Sequence, residues 1–338
     1  MTAPLPPPPG RPVNAPPPMV KPNGAPPPLA AQSLSVEDLF TCGADVEGWW
    51  INVAGPPKYG KTTFAVGAPS PVFIMADRGG LKSLPKATSR RVPTTWPELL
   101  TACHALRDKP HNFGAVVLDT TFAAEVMLIK HLCEKDGKDV LRKVGGGYGA
   151  GYDLLVSEIN RVVDIFFTLN ARGIHTIAIH QVELQTVKSA DLDDYERTAL
   201  ALQKKTALIW AAGADVNMYV QPEIVERTRI DGGKDKTGTE RPDRVKVDFT
   251  GRAICHVRSA AGIEAGNRLF LPSPMTYSWA ALEIGAQEGA ELRDKLFAHL
   301  GSLAIVDRAA ADWRLNQAGW SKEAALAEIN GTWNQPKK

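Results

Sequence analysis

From residue 49 onward, short apolar runs alternate with longer stretches of helical periodicity. The runs are residues 49–53 (WWINV), 71–75 (PVFIM), 115–118 (AVVL), 175–179 (HTIAI) and 216–220 (VNMYV), each followed by a polar residue or a loop. Continuous apolar runs of four to eight residues suit strands buried on both faces, and helical stretches between them predict an α/β fold with a mostly parallel central sheet. In such a sheet, ligands bind at the carboxyl ends of the strands. Beyond residue 220 the pattern becomes antiparallel. Residues 223–230 and 244–250 alternate β-formers and flank the polar stretch DGGKDKTGTERPD, which reads as a hairpin with a solvated tip. From about residue 272 the pattern is helical: Leu282, Ile284, Leu292, Leu296 and Leu300 recur at rough helical spacing, and SKEAALAEING carries a serine cap and a closing glycine.

Residues 1–36 differ from the rest. The first 35 hold half of the 26 prolines and few large apolar side chains, so they cannot offset chain entropy by burial. This predicts three parts: a disordered proline-rich arm (1–36), an α/β core (37–275) and a helical C-terminal tail (276–338). The arm serves as a spacer or as a docking segment for a proline-recognising partner.

The net charge of +2 argues for no particular partner, so any nucleic-acid surface must be a local patch. The four cysteines, Cys42, Cys103, Cys133 and Cys255, have no zinc spacing and read as reduced thiols. With neither a secretory signal nor an apolar run long enough to span a membrane, a cytoplasmic location without membrane contact is expected.

The most specific stretch is GPPKYGKT, which matches G-x-x-x-x-G-K-[ST] at Gly55, Gly60, Lys61 and Thr62 and lies between a predicted strand and a predicted helix. Glycines let the loop curl so that backbone N–H groups converge on phosphate oxygens at a helix N-terminus. The expected nucleotide-binding residues are Gly55, Pro56, Pro57, Lys58, Tyr59, Gly60, Lys61, Thr62 and Thr63. Lys61 is expected to bridge the β- and γ-phosphates of ATP, and Thr62 to place its hydroxyl on Mg²⁺. A second magnesium-holding group is expected at the end of a neighbouring strand, where AVVLDTT supplies Asp119.

In this order the features resemble the RecA-type recombinase core, and most closely the small phage-encoded RecA-like ATPases of single-strand annealing and recombination. The likeness covers roughly residues 45–280. It rests on the phosphate loop, the VVLDT strand, the His-plus-polar end of the fourth strand, the AGADV stretch at 212–216 and AGNRLFLP at 265–272. It implies a three-layer RecA-like P-loop core, with ATP and Mg²⁺ as cofactors and catalytic roles for Lys61, Asp77, Asp119 and Gln181. Asp77, where the family usually has glutamate, would be the base that activates water, with a plain loop cap as the alternative; Gln181 would sense the γ-phosphate.

The resemblance further implies two DNA-binding loops. One is LRKVGGGYGAGYD (141–153) with Arg142, Lys143 and Tyr148; the other is an irregular connection over 182–198 with Lys188 and Arg197. The implied activity is assembly on single-stranded DNA as a homo-oligomer, ring or filament, that promotes annealing with slow ATP hydrolysis, in the cytoplasm of a bacterial host. A single-strand-binding or replication protein is a further candidate partner. The alternatives are a DNA-dependent motor or helicase loader and a non-enzymatic nucleotide-binding scaffold.

Overall fold

The computed structural model describes residues 48–188, 195–230, 244–260 and 262–333. The expected arm, the tip of the long hairpin and Cys42 lie outside the described residues.

Eleven strands and eight α-helices follow one another along these segments. The strands are β1 (Trp50–Ala54), β2 (Pro71–Met75), β3 (Ser89–Arg91), β4 (Ala115–Asp119), β5 (His175–His180), β6 (Val182–Val187), β7 (Tyr195–Leu200), β8 (Val216–Ile230), β9 (Arg244–His256), β10 (Gly266–Asn267) and β11 (Met275–Thr276). The helices are α1 (Lys61–Val66), α2 (Trp96–Asp108), α3 (Thr121–Lys135), α4 (Ala150–Asn170), α5 (Lys204–Gly213), α6 (Trp279–Ser302), α7 (Ile305–Gln317) and α8 (Lys322–Asn330).

The main sheet has the order β11-β9-β8-β1-β5-β4-β2-β3, with β10 added alongside β8. Its interior is parallel: β1 pairs with β5 and β8, β4 with β5 and β2, and β2 with β3. The antiparallel partners stand at one side, β9 on β8 and β11 on β9. All five apolar runs are strands here, because a strand covered on both faces must be apolar throughout.

Successive residues of a strand face opposite layers, and the two cores follow that rule. Val116 and Leu118 join Leu99, Leu128, Ile159 and Trp210 in the layer built on α2, α3, α4 and α5. Ala115 and Val117 join Phe64, Trp279 and Leu282 in the layer built on α1 and α6. Asp119, next in the alternation, therefore faces α1, which begins with the phosphate-loop lysine.

Four expectations need correction. The fifth strand and the first arm of the hairpin are one strand, β8, bent by register shifts around Ile224. The connection over 182–198 is regular where it is described: β6 and β7 pair antiparallel as a two-stranded ribbon, because VELQTV and YERTAL both alternate in strand fashion. The 141–153 segment, which begins between α3 and α4, is not a loop throughout. It is a short 3-10 turn, Leu141–Gly146, that leads into α4, so Tyr152 and Asp153 are already helical. Ile284, placed on the buried face by its spacing, is 60% exposed.

The C-terminal helices are capped as their sequence suggests, by Ser278 and Ser321, with Gly331 left-handed (φ 63°) at the end of α8. The first half of α6 packs into the α1 layer. Its second half joins α7 and α8 in a separate cluster around Leu296, Leu300, Ala311 and Leu315. Among the described residues no helix is long and apolar enough to cross a membrane.

Candidate functional site

The loop from Gly55 to Gly60 joins β1 to α1 and is shaped by positions that admit no side chain. A Cβ on Gly55 would lie 2.5 Å from the Val220 carbonyl oxygen of β8. Gly60 caps α1 in a left-handed conformation (φ 69°). Lys58 is also left-handed (φ 68°) and its side chain is exposed, while Tyr59 packs against the α1-side core. Pro56 is half-buried; Pro57 and Thr63 are exposed.

Lys61 is buried, and its ammonium donates to the carbonyls of Gly55 and Pro56, both at 2.7 Å. Burial lowers its pKa from 10.5 to about 8, opposed by the nearby Asp119 charge. The ammonium is thus held across the mouth of the loop, where phosphate oxygens would be better acceptors than the two carbonyls.

Thr62 donates to Asp119 Oδ2 at 2.7 Å. Asp119 is buried, and desolvation raises its pKa, with the Thr62 hydrogen bond opposing. One hydroxyl and one carboxylate side by side at a phosphate loop match how Mg²⁺ is held in nucleotide sites, with water and phosphate completing the octahedron. Gly80 marks how tightly this pair is enclosed. A Cβ there would sit 3.1 Å from Asp119 Oδ2, 3.6 Å from Thr62 Oγ1 and 2.9 Å from Met75 Cε. The donor set and this cradle fit a magnesium nucleotide.

Asp77 caps the 3-10 turn that follows β2: its Oδ1 accepts from Gly79 N at 2.8 Å, and its own N–H donates to the Asp119 carbonyl at 3.0 Å. Its carboxylate is close enough to raise the Asp119 pKa further. The structure therefore places Asp77 beside the Thr62–Asp119 pair while engaging one of its oxygens as a cap.

At the end of β5, His180 is paired in register with Ala54, so Gln181 follows at the level of Gly55. The Gln181 carbonyl accepts from Ala201 N at 2.9 Å, which closes the base of the β6–β7 ribbon at that residue. His180 is fully buried. Its Nδ1 bonds Thr121 Oγ1 at 2.7 Å, its ring meets Trp210 edge-on, and burial together with Lys61 pushes its pKa down to about 3. A neutral imidazole here fixes the strand end against α3.

Of the expected DNA-binding residues, Arg197 lies on the ribbon and Lys188 just beyond β6. Arg142, Lys143 and Tyr148 lie on the connection from α3 to α4, all exposed, with Tyr148 left-handed (φ 51°). The first turn of α4, directly after that connection, meets the start of α5: Lys205 pairs with Asp153 at 2.8 Å.

Three residues at the site were not legible in the sequence. Gly80 sits in a pair of glycines whose spacing matches no motif. Glu125 is buried on α3 and accepts from Gln203 N at 2.8 Å and from the Thr206 hydroxyl, so it caps α5 directly after the ribbon. Tyr277 lies against the phosphate loop, its ring 3.8 Å from a Cβ built on Gly60 and stacked on Phe64 at 5.1 Å. Only the tertiary fold brings Gly80 and Tyr277 to the loop and its metal-side pair, and Glu125 to the start of α5.

The AAA domain family matches residues 47–269, well over half of the chain, and the protein belongs to that family. Its core is accordingly an AAA domain, with the P-loop between β1 and α1. No curated protein matches the sequence. Among solved structures, the chain is similar to the RadB recombinase, with 15% identity over 53% of this chain and 78% of that one and a TM-score of 0.32. It is also similar to a prototypical ATPase from the type III secretion system of pathogenic bacteria (14% identity, 52% of each chain, TM-score 0.34), of which it spans about half the length. A third likeness is to the flagellar accessory protein FlaH from Methanocaldococcus jannaschii, with 10% identity, 64% of this chain, 89% of that one and a TM-score of 0.28.

Proposed function

We propose that the protein binds ATP and Mg²⁺ at the Gly55–Thr63 loop and Asp119, assembles on single-stranded DNA as a homo-oligomer, and promotes annealing. In this reading nucleotide acts as an assembly switch. The observation that carries it is the tie at Gln181. The residue at the phosphate end of β5 also closes the base of the β6–β7 ribbon, so a displacement of Gln181 by a γ-phosphate would pass directly to the ribbon that bears Arg197. Lys61 would bridge the phosphates, Thr62 and Asp119 would hold the metal, and Asp77 would orient the attacking water. The division into an arm (1–36), a core (37–275) and a tail (276–338) belongs to the same proposal.

A second reading, the non-enzymatic scaffold, is favoured by the cap that Asp77 makes to Gly79, which occupies one oxygen of the proposed base. ATP turnover measured with and without single-stranded DNA, beside an annealing assay on complementary oligonucleotides, separates the two. Annealing that needs ATP and is accompanied by slow, DNA-stimulated turnover supports the first reading. Tight ATP binding with neither turnover nor annealing supports the scaffold, and fast turnover with directional unwinding would point to a motor. Asp77→Asn should retain ATP affinity and slow turnover; unchanged turnover would assign the base elsewhere.

A further inference from the structure

The stretch AGNRLFLP builds a turn for which the ATPase site has no use. Asn267 Oδ1 accepts from Leu269 N at 3.2 Å and Leu271 N at 2.9 Å, while its Nδ2 donates to the Val257 carbonyl at 2.9 Å. The clamped turn holds Phe270 in a left-handed conformation (φ 55°), costly for a bulky residue. Trp320, also left-handed (φ 51°), lines the same cavity of about 460 Å³, its indole N–H donated to Asn316 Oδ1 at 2.7 Å, and both rings also pack against the C-terminal helix cluster. The cavity lies between the α/β core and the C-terminal helices. Its lining contains four cations, Arg258, Arg268, Arg293 and Lys322, and no carboxylate. Three of them are paired with acids that stand outside the lining: Arg258 with Glu323, Arg268 with Asp215 and Lys322 with Glu288. Exposed pairs of this kind contribute little, so a phosphate can replace the carboxylate.

This cavity adjoins others. Ser259 and Ala265 line it and also a cavity of about 580 Å³ under the β6–β7 ribbon, which holds Arg197, Lys204 and Glu264, the last paired with Arg197 at 4.0 Å. Lys204 in turn lines a third, of about 280 Å³, with Tyr148, Tyr152, Lys205 and the Asp153 that pairs with Lys205. Cations with aromatic faces at both ends are what an unpaired strand requires, phosphate neutralisation together with platforms for bases. A duplex has no free bases to stack.

We infer that a single strand of DNA runs through all three cavities, from Tyr148 beneath the ribbon to Trp320, so that the C-terminal helices form the far end of the strand-binding track. This rests on the annealing reading and extends its DNA contact to a region outside the AAA domain match. Arg268 and the clamped Phe270 carry the strand across the junction.

The test is a titration of full-length protein, with ATP and Mg²⁺, against a labelled oligothymidylate at several salt concentrations. Arg258→Gln with Arg293→Gln should weaken binding about tenfold and lower the salt slope by about 1.4, at ~0.7 per single-strand phosphate contact. Trp320→Ala should weaken binding with the slope unchanged, and Trp320→Phe should restore it. ATP affinity and melting temperature identify a variant that fails through misfolding, in which case the arginine pair decides. Wild-type affinity and slope in the arginine variant, with binding lost in Arg197→Gln/Lys204→Gln, would overturn the extended track and leave the annealing reading standing. Absence of strand binding by the wild-type protein would overturn both.

Discussion

Thr62 and Asp119, on the first turn of α1 and the last residue of β4, share a 2.7 Å hydrogen bond on the α1 side of the sheet. The pairing follows from strand alternation, which turns Asp119 toward the phosphate loop. Replacing Asp119 by Asn keeps an acceptor for Thr62 but removes the charge that would hold the metal. We expect unchanged melting temperature and magnesium affinity in the nucleotide complex lower by about 10–100-fold, measured as the Mg²⁺ dependence of turnover. Unchanged Mg²⁺ dependence would make Asp119 a helix-preceding acid only.

Gly80 encloses that pair. A methyl group there approaches Met75 Cε at 2.9 Å and Asp119 Oδ2 at 3.1 Å, and such overpacking costs about 1–3 kcal/mol. Gly80→Ala should therefore lower the melting point by a few degrees and raise the Mg²⁺ needed for turnover, while Gly301→Ala, which meets nothing within 4 Å, should do neither. Calorimetry and a magnesium titration check both.

Lys61 sets a pH dependence. Its folded pKa of about 8 lies below the ordinary 10.5, so the unfolded chain holds the proton more tightly and this residue's contribution to stability rises as pH climbs from about 8 towards 10.5. Phosphates require the charged form, so ATP affinity should fall above pH 8, by up to about tenfold per unit. Calorimetry at pH 8.5 in buffers of different ionisation enthalpy should show net proton uptake on ATP binding. Lys61→Ala should abolish that uptake and weaken binding by about 10–100-fold, the loss expected for a charge-assisted hydrogen bond of ~1.5–3 kcal/mol.

Glu125 anchors the start of α5 behind the ribbon. Burial raises its pKa, so the folded state takes up the proton more readily than the unfolded chain. Stability from this residue is then highest below the ordinary 4.5 and declines as pH rises through the elevated folded value. Glu125→Gln should remove that dependence at small cost. Glu125→Ala leaves Gln203 N–H without its acceptor, while the Thr206 hydroxyl keeps the Gln203 carbonyl at 2.8 Å, and should cost about 1–3 kcal/mol by denaturant unfolding.

The parallel strands were legible in the sequence because burial on both faces leaves an unbroken apolar run, and the loop because its glycines and lysine are required by phosphate geometry at fixed spacing. Asp119 was legible through its place at a strand end. The ribbon was not, since VELQTV and YERTAL are short, half-exposed and interrupted by a polar stretch that hides their pairing. Ile284 misled because α6 buries one face in the core and another against α7 and α8, so no single helical period describes it. Gly80 and Tyr277 reach the loop, and Glu125 the start of α5, only through tertiary contacts, which leave no periodic trace.

If nucleotide controls assembly on single-stranded DNA, affinity for a strand must depend on which nucleotide the protein holds. Fluorescence anisotropy of a labelled oligothymidylate should be followed as protein is added with ATP and Mg²⁺, with ADP and Mg²⁺, and without nucleotide. The account predicts cooperative binding with ATP, weaker binding with ADP or none added, and loss of the ATP effect in Asp119→Asn. Equal binding in all three conditions, or no binding in any, would contradict it.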